Sequence, residues 1–246
     1  MFQNKVAIIT GGGGGIGLAA AQMLAEKGAS VLITGRTKAT LDEAAATHPN
    51  IKAFVADASD PQSAAKTVAE ALGHWGRIDI LVNNAGGGSI QPLDNVNAKS
   101  INNIFAINVT GPTLLASAAL PSLEATKGTI INISSTYGSK AGAGLSLYGA
   151  SKAAIEHLTR CWALELAPKG IRVNSIASGP VESAFLKERM GLSDEQIEVV
   201  KEQERSAIPL GRRGVPDDIG AWIVHVAESG WITGQIIAVD GGLVIT

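Results

Sequence analysis

The sequence predicts a doubly wound α/β fold, in which a parallel sheet of about seven strands is covered by helices on both faces. Short apolar runs rich in β-branched residues recur along the chain, and segments of helix length separate them. The first run is followed directly by a glycine cluster, which is typical of an open sheet. An eight-stranded α/β barrel is the alternative, but seven runs are counted, so the open sheet is favoured.

The predicted elements alternate regularly along the chain. Ile16, Ala19 and Met23 recur at the spacing of one helix face, and Gly28 stands where that first helix is expected to end. The seven predicted strands are 6–9, 31–33, 51–55, 78–82, 129–133, 171–176 and 235–239. No linker or composition shift marks a second domain, so residues 1–246 are expected to form one domain.

One segment departs from this alternation. Residues 180–210 are rich in Glu, Lys, Arg and Met, and we expect them to form a helical lid inserted after the sixth strand. Together with 87–90 and 142–147 this segment is expected to shape a substrate pocket. The small and apolar residues in these stretches suit a modest ketone or an acyl chain.

Composition and charge exclude several classes of function. The chain has 20 basic and 22 acidic residues, a formal charge of −2, so it lacks the basic surface needed to bind nucleic acid or an anionic membrane. The uncharged stretch 100–123 is long enough to span a bilayer, but Asn108, Pro112 and Pro121 interrupt it, so we interpret it as buried protein. The N-terminus shows no signal sequence, which makes the cytoplasm the expected location.

Internal disulfides and metal sites are not expected either. Cys161 is the single cysteine, and the four histidines show none of the usual zinc-ligand spacings.

The glycine cluster after the first strand has the context of a dinucleotide-binding turn, because it also opens the first helix. Glycine allows a sharp turn and lets backbone N–H groups approach a pyrophosphate, whose charge the helix N-terminus favours. The expected contacts are Gly11, Gly14, Gly15, Ile16 and Gly17. A flexible loop without a ligand is the alternative.

The end of the second strand indicates which cofactor is bound. NAD sites usually carry an acid here to hold the ribose 2′-hydroxyl, but no carboxylate occurs before Asp42. Arg36 instead offers a guanidinium suited to a phosphate, and Thr37 and Lys38 offer further donors. NADP(H) is therefore preferred and NAD(H) remains possible, since Arg36 is also able to stack on adenine or face solvent.

A serine, a tyrosine and a lysine in the second half of the chain form a candidate catalytic group. Tyr148 and Lys152 are four residues apart, which places them on one helix face, and a neighbouring ammonium is expected to lower the pKa of the phenol. Ser135 follows the fifth predicted strand, where its hydroxyl is able to hold a substrate carbonyl.

Taken together, these motifs resemble the short-chain dehydrogenase/reductase family, and its 3-oxoacyl-[acyl-carrier-protein] reductase and carbonyl reductase branch in particular. The matching motifs, which span essentially the whole chain, are Thr10-Gly11-x-x-x-Gly15-Ile16-Gly17, Asn83-Asn84-Ala85-Gly86, Asn108, Ser135, Tyr148-Gly-Ala-Ser-Lys152 and Val239-Asp240-Gly241-Gly242. The resemblance implies a Rossmann-type domain, usually a homotetramer, that moves hydride between a nicotinamide and a small carbonyl or alcohol substrate.

The resemblance also implies roles for individual residues. Tyr148 would exchange the proton with the substrate oxygen and Ser135 would hold that oxygen. Lys152 would bind the nicotinamide ribose and Asn108 would position a relay water. Cofactor contacts are also implied for Tyr148 and Lys152 themselves and for Asp57, Ala58, Asn84, Ala85, Gly86, Val181 and Ser183. Two positions depart from the family pattern: Ser178 replaces a proline and Ser183 replaces a threonine.

The alternatives are an NAD-dependent alcohol dehydrogenase of the same family and a cofactor-binding sensor that lacks catalysis. An enoyl reductase would more often place its tyrosine and lysine six residues apart, so that chemistry is disfavoured here. Arg212 and Arg213 are expected on a solvated loop or at a subunit contact, and we assign no function to them from the sequence.

Overall fold

The computed structural model describes residues 2–246, and a seven-stranded parallel sheet lies at its centre. The strands are β1 (Val6–Thr10), β2 (Ser30–Gly35), β3 (Ile51–Val55), β4 (Ile80–Asn83), β5 (Thr129–Ser135), β6 (Arg172–Ser178) and β7 (Ile236–Val239). Their order across the sheet is β3-β2-β1-β4-β5-β6-β7, with every neighbouring pair parallel. The predicted doubly wound sheet is therefore confirmed.

Helices cover both faces of this sheet. They are α1 (Gly15–Glu26), α2 (Lys38–Ala45), α3 (Ser63–Trp75), α4 (Ala98–Phe105), α5 (Gly111–Thr126), α6 (Ser146–Leu166), α7 (Phe185–Glu188), α8 (Asp194–Ala207) and α9 (Pro216–Glu228). Alternate residues of β1 point to opposite cores, because Ile9 packs with Leu24 of α1 and Ile223 of α9, whereas Ile8 packs with Leu123 of α5 and Leu166 of α6. The central strands β1, β4 and β5 are thus buried on two sides, which explains their near-continuous apolar runs.

The fourth strand begins later than the sequence predicts, at Ile80 instead of residue 78. The Ile78 N–H is used elsewhere, because it donates to the Ser122 hydroxyl at 2.7 Å. Asp79 is buried and accepts from the Val6 N–H at 3.0 Å and from Lys5 and Arg77. Burial raises the pKa of this carboxyl, but the hydrogen bonds outweigh burial and the net pKa is lowered. These bonds hold the segment before β4 to the start of β1.

The switch point of the sheet lies between β1 and β4, where the chain order reverses. Thr10, at the end of β1, accepts hydrogen bonds at its hydroxyl from the backbone N–H groups of Asn84 and Ala85, at 3.0 and 2.9 Å. The Asn84 side chain donates in return to the Thr10 carbonyl at 2.8 Å. The glycine loop and the segment 84–86 are therefore held side by side at one edge of the sheet.

Residues 98–126 form one continuous helical stretch, in which a π-helical turn at Ala106–Thr110 separates α4 from α5. Within the described residues it is the one helix long and apolar enough to cross a membrane, with a mean hydropathy of 1.4. It packs in the protein core, where Leu115, Ala119 and Leu123 lie against the sheet.

The segment after β6 is helical, as predicted for the lid. It contains α7 and α8, and α9 begins at Pro216. Ser193 caps α8 together with Gln196, since each side chain bonds the other residue's backbone N–H.

A close approach of two backbones requires a glycine at position 111, at the start of α5. A Cβ at this position would collide with the carbonyl oxygen of Ala58. Gly73 in α3 is the opposite case, because it is exposed and a Cβ there would meet no atom within 4 Å.

We therefore predict opposite effects for the same substitution at these two glycines. Gly111→Ala lowers the free energy of unfolding by about 1–3 kcal/mol through overpacking. Gly73→Ala raises it by up to about 1 kcal/mol, because alanine favours the helix. Urea denaturation of both variants tests this, and equal stability of the two would contradict the close packing at Ala58.

Candidate active site

A cavity of about 920 Å³ opens at the carboxyl ends of the strands, within the size range of small-molecule sites. Most of the residues predicted for the site line it. These are Gly11, Gly14, Gly15, Ile16, Arg36, Thr37, Asn84, Ala85, Gly86, Ser135, Tyr148, Lys152, Val181 and Ser183. Gly17, Asp57, Ala58 and Asn108 were also predicted, but they are not among the residues that line the cavity.

The glycine loop has the backbone shape of a pyrophosphate cradle. Gly11 and Gly15 adopt φ values of +66° and +52°, which side-chain-bearing residues rarely adopt. A Cβ on Gly17 would collide with the Gly11 carbonyl oxygen, so this glycine serves the close fit of α1 against the loop. A Cβ on Gly14 would meet no atom within 4 Å, and α1 begins at the next residue. The loop therefore fits a dinucleotide whose phosphates face the helix N-terminus.

Arg36 follows β2 and lines the cavity together with its neighbours Gly35 and Thr37. Asp42 is paired with Lys38 at 2.6 Å on the exposed side of α2. Burial raises the pKa of Asp57, but the hydrogen bonds from Ser59 and the charges of Arg36 and Arg189 together lower it by more. The net pKa of this carboxyl is therefore lowered. Asp57 is thus an ionised carboxylate near the arginine.

Ser135, Tyr148 and Lys152 come together because α6 packs closely on the end of β5. A Cβ on Gly149 would lie 2.7 Å from the Tyr137 carbonyl oxygen, so the absence of a side chain lets α6 approach the turn that follows β5. Ser135 is buried and accepts a hydrogen bond from the Tyr137 N–H at 3.3 Å.

The Lys152 ammonium is buried beneath the phenol. Its Nζ donates to the Ile133 carbonyl at 2.9 Å and lies 5.8 Å from the centre of the Tyr148 ring. Burial lowers the pKa of Lys152 to about 8, and the carboxylate of Glu156 opposes this effect. Gly86 fits against the same ammonium, because a Cβ there would lie 3.4 Å from Nζ.

The expected lowering of the Tyr148 pKa by Lys152 is wrong for this geometry. Burial raises the pKa of the phenol, and the Ser135 hydroxyl offsets only part of the rise. The Lys152 ammonium donates to the Ile133 carbonyl, and its attraction for a phenolate does not offset the cost of burying one. Tyr148 is consequently a neutral phenol at physiological pH and carries a proton that it is able to donate.

Asn108 lies in the π-helical turn, a feature that often marks functional sites. Its amide donates to the Gly87 carbonyl and the Ser151 hydroxyl, both at 2.9 Å, and accepts from the Gly87 N–H at 2.9 Å. These bonds fix the segment after β4 to α6. The role in holding a relay water, which the resemblance implies, stays a prediction.

Phe185 and Glu156 contribute to the site without having been singled out from the sequence. The Phe185 ring lies 6.4 Å from the ring of Tyr148, so α7 closes over the phenol. Glu156 is buried one helical turn after Lys152 and accepts from the Ser134 hydroxyl at 2.7 Å. Phe185 lies in the segment expected to form a lid, and Glu156 lies one helical turn after Lys152. These two positions are the signals from which the residues could have been predicted.

Of the two places expected for Arg213, a solvated loop or a subunit contact, the solvated loop is wrong. Arg213 is only 5% exposed and donates to the Val181 carbonyl at 2.7 Å. Arg212 is exposed, as expected, and pairs with Asp218 at the start of α9. Nothing in the spacing of two adjacent arginines distinguishes the buried one from the exposed one.

Apolar side chains form the part of the cavity in front of Tyr148. They come from the segments expected to shape the pocket, namely Ile90, Ala143, Leu145, Phe185, Leu186 and Met190. Within residues 2–246 no cluster of three or more histidine, cysteine or acidic side chains is arranged to hold a metal ion.

Comparison with known proteins agrees with this geometry. A family model described as enoyl-(acyl carrier protein) reductase matches residues 12–244. An uncharacterized oxidoreductase of Mycobacterium tuberculosis is 39% identical, over 98% of this chain and 93% of the relative. The 3-oxoacyl-[acyl-carrier-protein] reductase FabG of Thermotoga maritima is 34% identical, over 99% of each chain.

A solved structure shares the whole fold. It is a short-chain dehydrogenase/reductase of unknown function from Caenorhabditis elegans, crystallised with cofactor, which is 32% identical and covers 100% of this chain and 97% of its own, with a TM-score of 0.93. The family uses NAD(H) or NADP(H) in oxidation and reduction. Sequence motifs, sheet order and site geometry agree with these matches, and the chain belongs to the short-chain dehydrogenase/reductase family of oxidoreductases.

Proposed function

We propose that this protein is an NADP(H)-dependent ketone reductase in which Tyr148 is the general acid and base. The observation that carries the proposal is the convergence of Ser135, Tyr148 and Lys152 with the glycine loop on the wall of one cavity. A sensor without catalysis would have no need for a hydroxyl, a phenol and a buried ammonium at the same point.

The bound nicotinamide supplies the hydride for reduction or accepts it in oxidation. In reduction the Tyr148 phenol donates its proton to the carbonyl oxygen, and the raised pKa keeps that proton in place at neutral pH. The Ser135 hydroxyl donates a hydrogen bond to the same oxygen and stabilises its developing negative charge.

Lys152 and Asn108 support this proton transfer without contacting the substrate oxygen. Below its pKa of about 8, Lys152 is an ammonium that stabilises the phenolate left after transfer and holds the ribose hydroxyls of the cofactor. Asn108 fixes Gly87 and Ser151, and thereby two segments that would flank the bound cofactor. Proton return from solvent would pass along this side of the site.

The remaining cofactor contacts follow from positions on the cavity wall. Arg36 would pair with the 2′-phosphate of NADP(H), assisted by the Thr37 hydroxyl, which favours this cofactor over NAD(H). The Ser183 side chain would lie 3.4 Å from a Cβ on Gly15, so it faces the pyrophosphate loop. The Val181 carbonyl accepts a hydrogen bond from Arg213, and the backbone N–H of this cavity-lining residue would be offered to the nicotinamide carboxamide.

We assign a ketone with an apolar substituent, including a 3-oxoacyl thioester, as the substrate class. The apolar wall in front of Tyr148 supports this choice, and a relative named 3-oxoacyl-[acyl-carrier-protein] reductase agrees with it. Reduction of a carbon–carbon double bond is less well supported, because Tyr148 and Lys152 are four residues apart. A homotetramer in the cytoplasm stays a prediction from the resemblance and from the sequence.

Removal of the Tyr148 hydroxyl tests the role of this residue as the general acid. Tyr148→Phe is expected to lower kcat by about 10²–10⁴ while the affinity for NADPH stays nearly unchanged, since the hydroxyl acts on the substrate oxygen. Turnover is measured at 340 nm with a panel of ketones, and NADPH binding by fluorescence. Tyr137→Phe, which alters the chain's other tyrosine, is the matched control and is expected to keep measurable turnover. Full activity in Tyr148→Phe would refute the mechanism.

Cofactor choice is tested at Arg36. Arg36→Asp is expected to shift the ratio of kcat/KM for NADPH over NADH toward NADH by about 10–100-fold, because charge-assisted hydrogen bonds to the phosphate are lost. Arg36→Lys keeps the charge without the planar fork and should lie between the two. An unchanged ratio in Arg36→Asp would mean that the arginine does not contact the phosphate.

The pH dependence of reduction follows from Lys152. Its pKa of about 8 predicts that kcat/KM is constant below about pH 8 and falls above it, as the ammonium loses its proton. Tyr148 does not limit this range, because its own pKa is raised. A pH profile with saturating NADPH measures the effect, and constant activity well above pH 8 would exclude a role for the ammonium.

A further inference from the structure

A cluster of four charged residues joins the lid to the body of the protein and takes no part in the proposed hydride and proton transfer. Glu182 follows β6, Lys201 and Glu204 lie on α8, and Arg213 lies between α8 and α9. We refer to these four residues as the latch cluster.

Arg213 is the centre of the latch cluster, and its side chain is only 3% exposed. Its Nη2 donates to the Val181 carbonyl at 2.7 Å, its Nε pairs with Glu182 Oε1 at 3.0 Å, and its Nη1 pairs with Glu204. One planar guanidinium thus connects the segment 181–182, on the nicotinamide side of the cavity, with the lid helix. A lysine has no fork with which to make three such contacts at once.

The lid helix has little else to hold it in place. None of the residues of α8 is fully buried, so apolar packing contributes less here than in the helices that cover the sheet. A second ion pair of the latch cluster joins Lys201 to Glu182 Oε2 at 3.1 Å. Both ends of the Glu182 carboxylate are therefore engaged, one by the lid helix and one by Arg213.

The charges of the latch cluster balance, with two cations opposite two carboxylates. Burying an arginine is costly unless it is paired, so Arg213 is stable at this position because Glu182 and Glu204 are present. The arrangement depends on both carboxylates and on the lid helix being in its closed position.

We propose that Arg213 is a positioning residue, which couples closure of the lid helix α8 to the placement of the Val181 backbone against the nicotinamide. The proposal rests on the proposed function for its effect on the cofactor, but the attachment of α8 is independent of it. When the lid is closed, Glu204 and Glu182 hold the guanidinium, and the guanidinium holds Val181. When α8 moves away, Arg213 loses one of its two carboxylates and Val181 is held less firmly.

Two variants separate the two ends of the latch cluster. Glu204→Gln removes the charge on the lid but leaves Arg213 paired with Glu182, so the protein keeps a compensated arginine. Arg213→Lys keeps the positive charge but loses the hydrogen bond to Val181. Glu202→Gln is the matched control, because Glu202 lies on the same helix and pairs only with Arg205 of that helix, at 3.2 Å.

Hydrogen exchange of the α8 amides and the Kd for NADPH are the two measurements. Glu204→Gln is expected to speed exchange in α8 by about tenfold or more, the effect of losing one charge-assisted contact, and to change the Kd by less than about threefold. Arg213→Lys is expected to speed exchange similarly and to raise the Kd by about tenfold. Glu202→Gln should change neither quantity.

The outcomes that overturn the proposal are distinct from those that overturn the proposed function. Exchange in Glu204→Gln no faster than in Glu202→Gln would show that the latch cluster does not hold the lid. Faster exchange in Arg213→Lys with an unchanged Kd would show that lid and Val181 are not coupled. Failure of the wild-type protein to bind NADPH would contradict the proposed function instead, and the exchange rates would still decide whether the latch cluster holds α8.

Discussion

The close contact between the ends of β1 and β4 is the constraint on which the rest of the site depends. Thr10 and Asn84 exchange hydrogen bonds across the switch point, and this exchange places the glycine loop beside the segment that ends β4. The contact leaves no room for side chains, because a Cβ on Gly17 would collide with the Gly11 carbonyl and would approach Asn84 within 2.6 Å. The cradle for a dinucleotide is thus a by-product of how tightly two strands, a loop and a helix meet.

A similar close approach orders the chemical groups. The turn after β5 and the start of α6 pack together at Gly149, and this packing brings a strand-end serine and a helical tyrosine to one wall. Burial then determines their acid–base properties, since it raises the pKa of Tyr148 and lowers the pKa of Lys152. Both shifts favour the uncharged form of the group, but the lysine, with a pKa of about 8, remains largely charged at neutral pH. A neutral phenol above a cation is the arrangement that suits proton donation to a carbonyl oxygen.

The lid is stabilised by a different kind of interaction from the rest of the protein. The helices over the sheet bury apolar faces, whereas α8 is held by ion pairs at its inner side. Ion pairs break and reform more readily than a packed core, which suits an element proposed to open and close over the cavity. Because Arg213 contacts both α8 and Val181, the least tightly packed element is connected to a residue on the cavity wall.

The sequence by itself determined the class of fold, the seven strands and many of the residues that line the cavity. Such features are local, because the periodicity of apolar residues and the glycines of a tight turn are written in consecutive residues. Even so, the start of β4 shifted to Ile80, because Ser122, more than forty residues away, takes the Ile78 N–H. The tertiary structure alone decided the pKa of Tyr148 and the burial of Arg213, since both depend on groups brought together from distant parts of the chain. Lys152 is four residues from Tyr148 in sequence, yet it is the carbonyl of Ile133, on a neighbouring strand, that fixes where its charge lies.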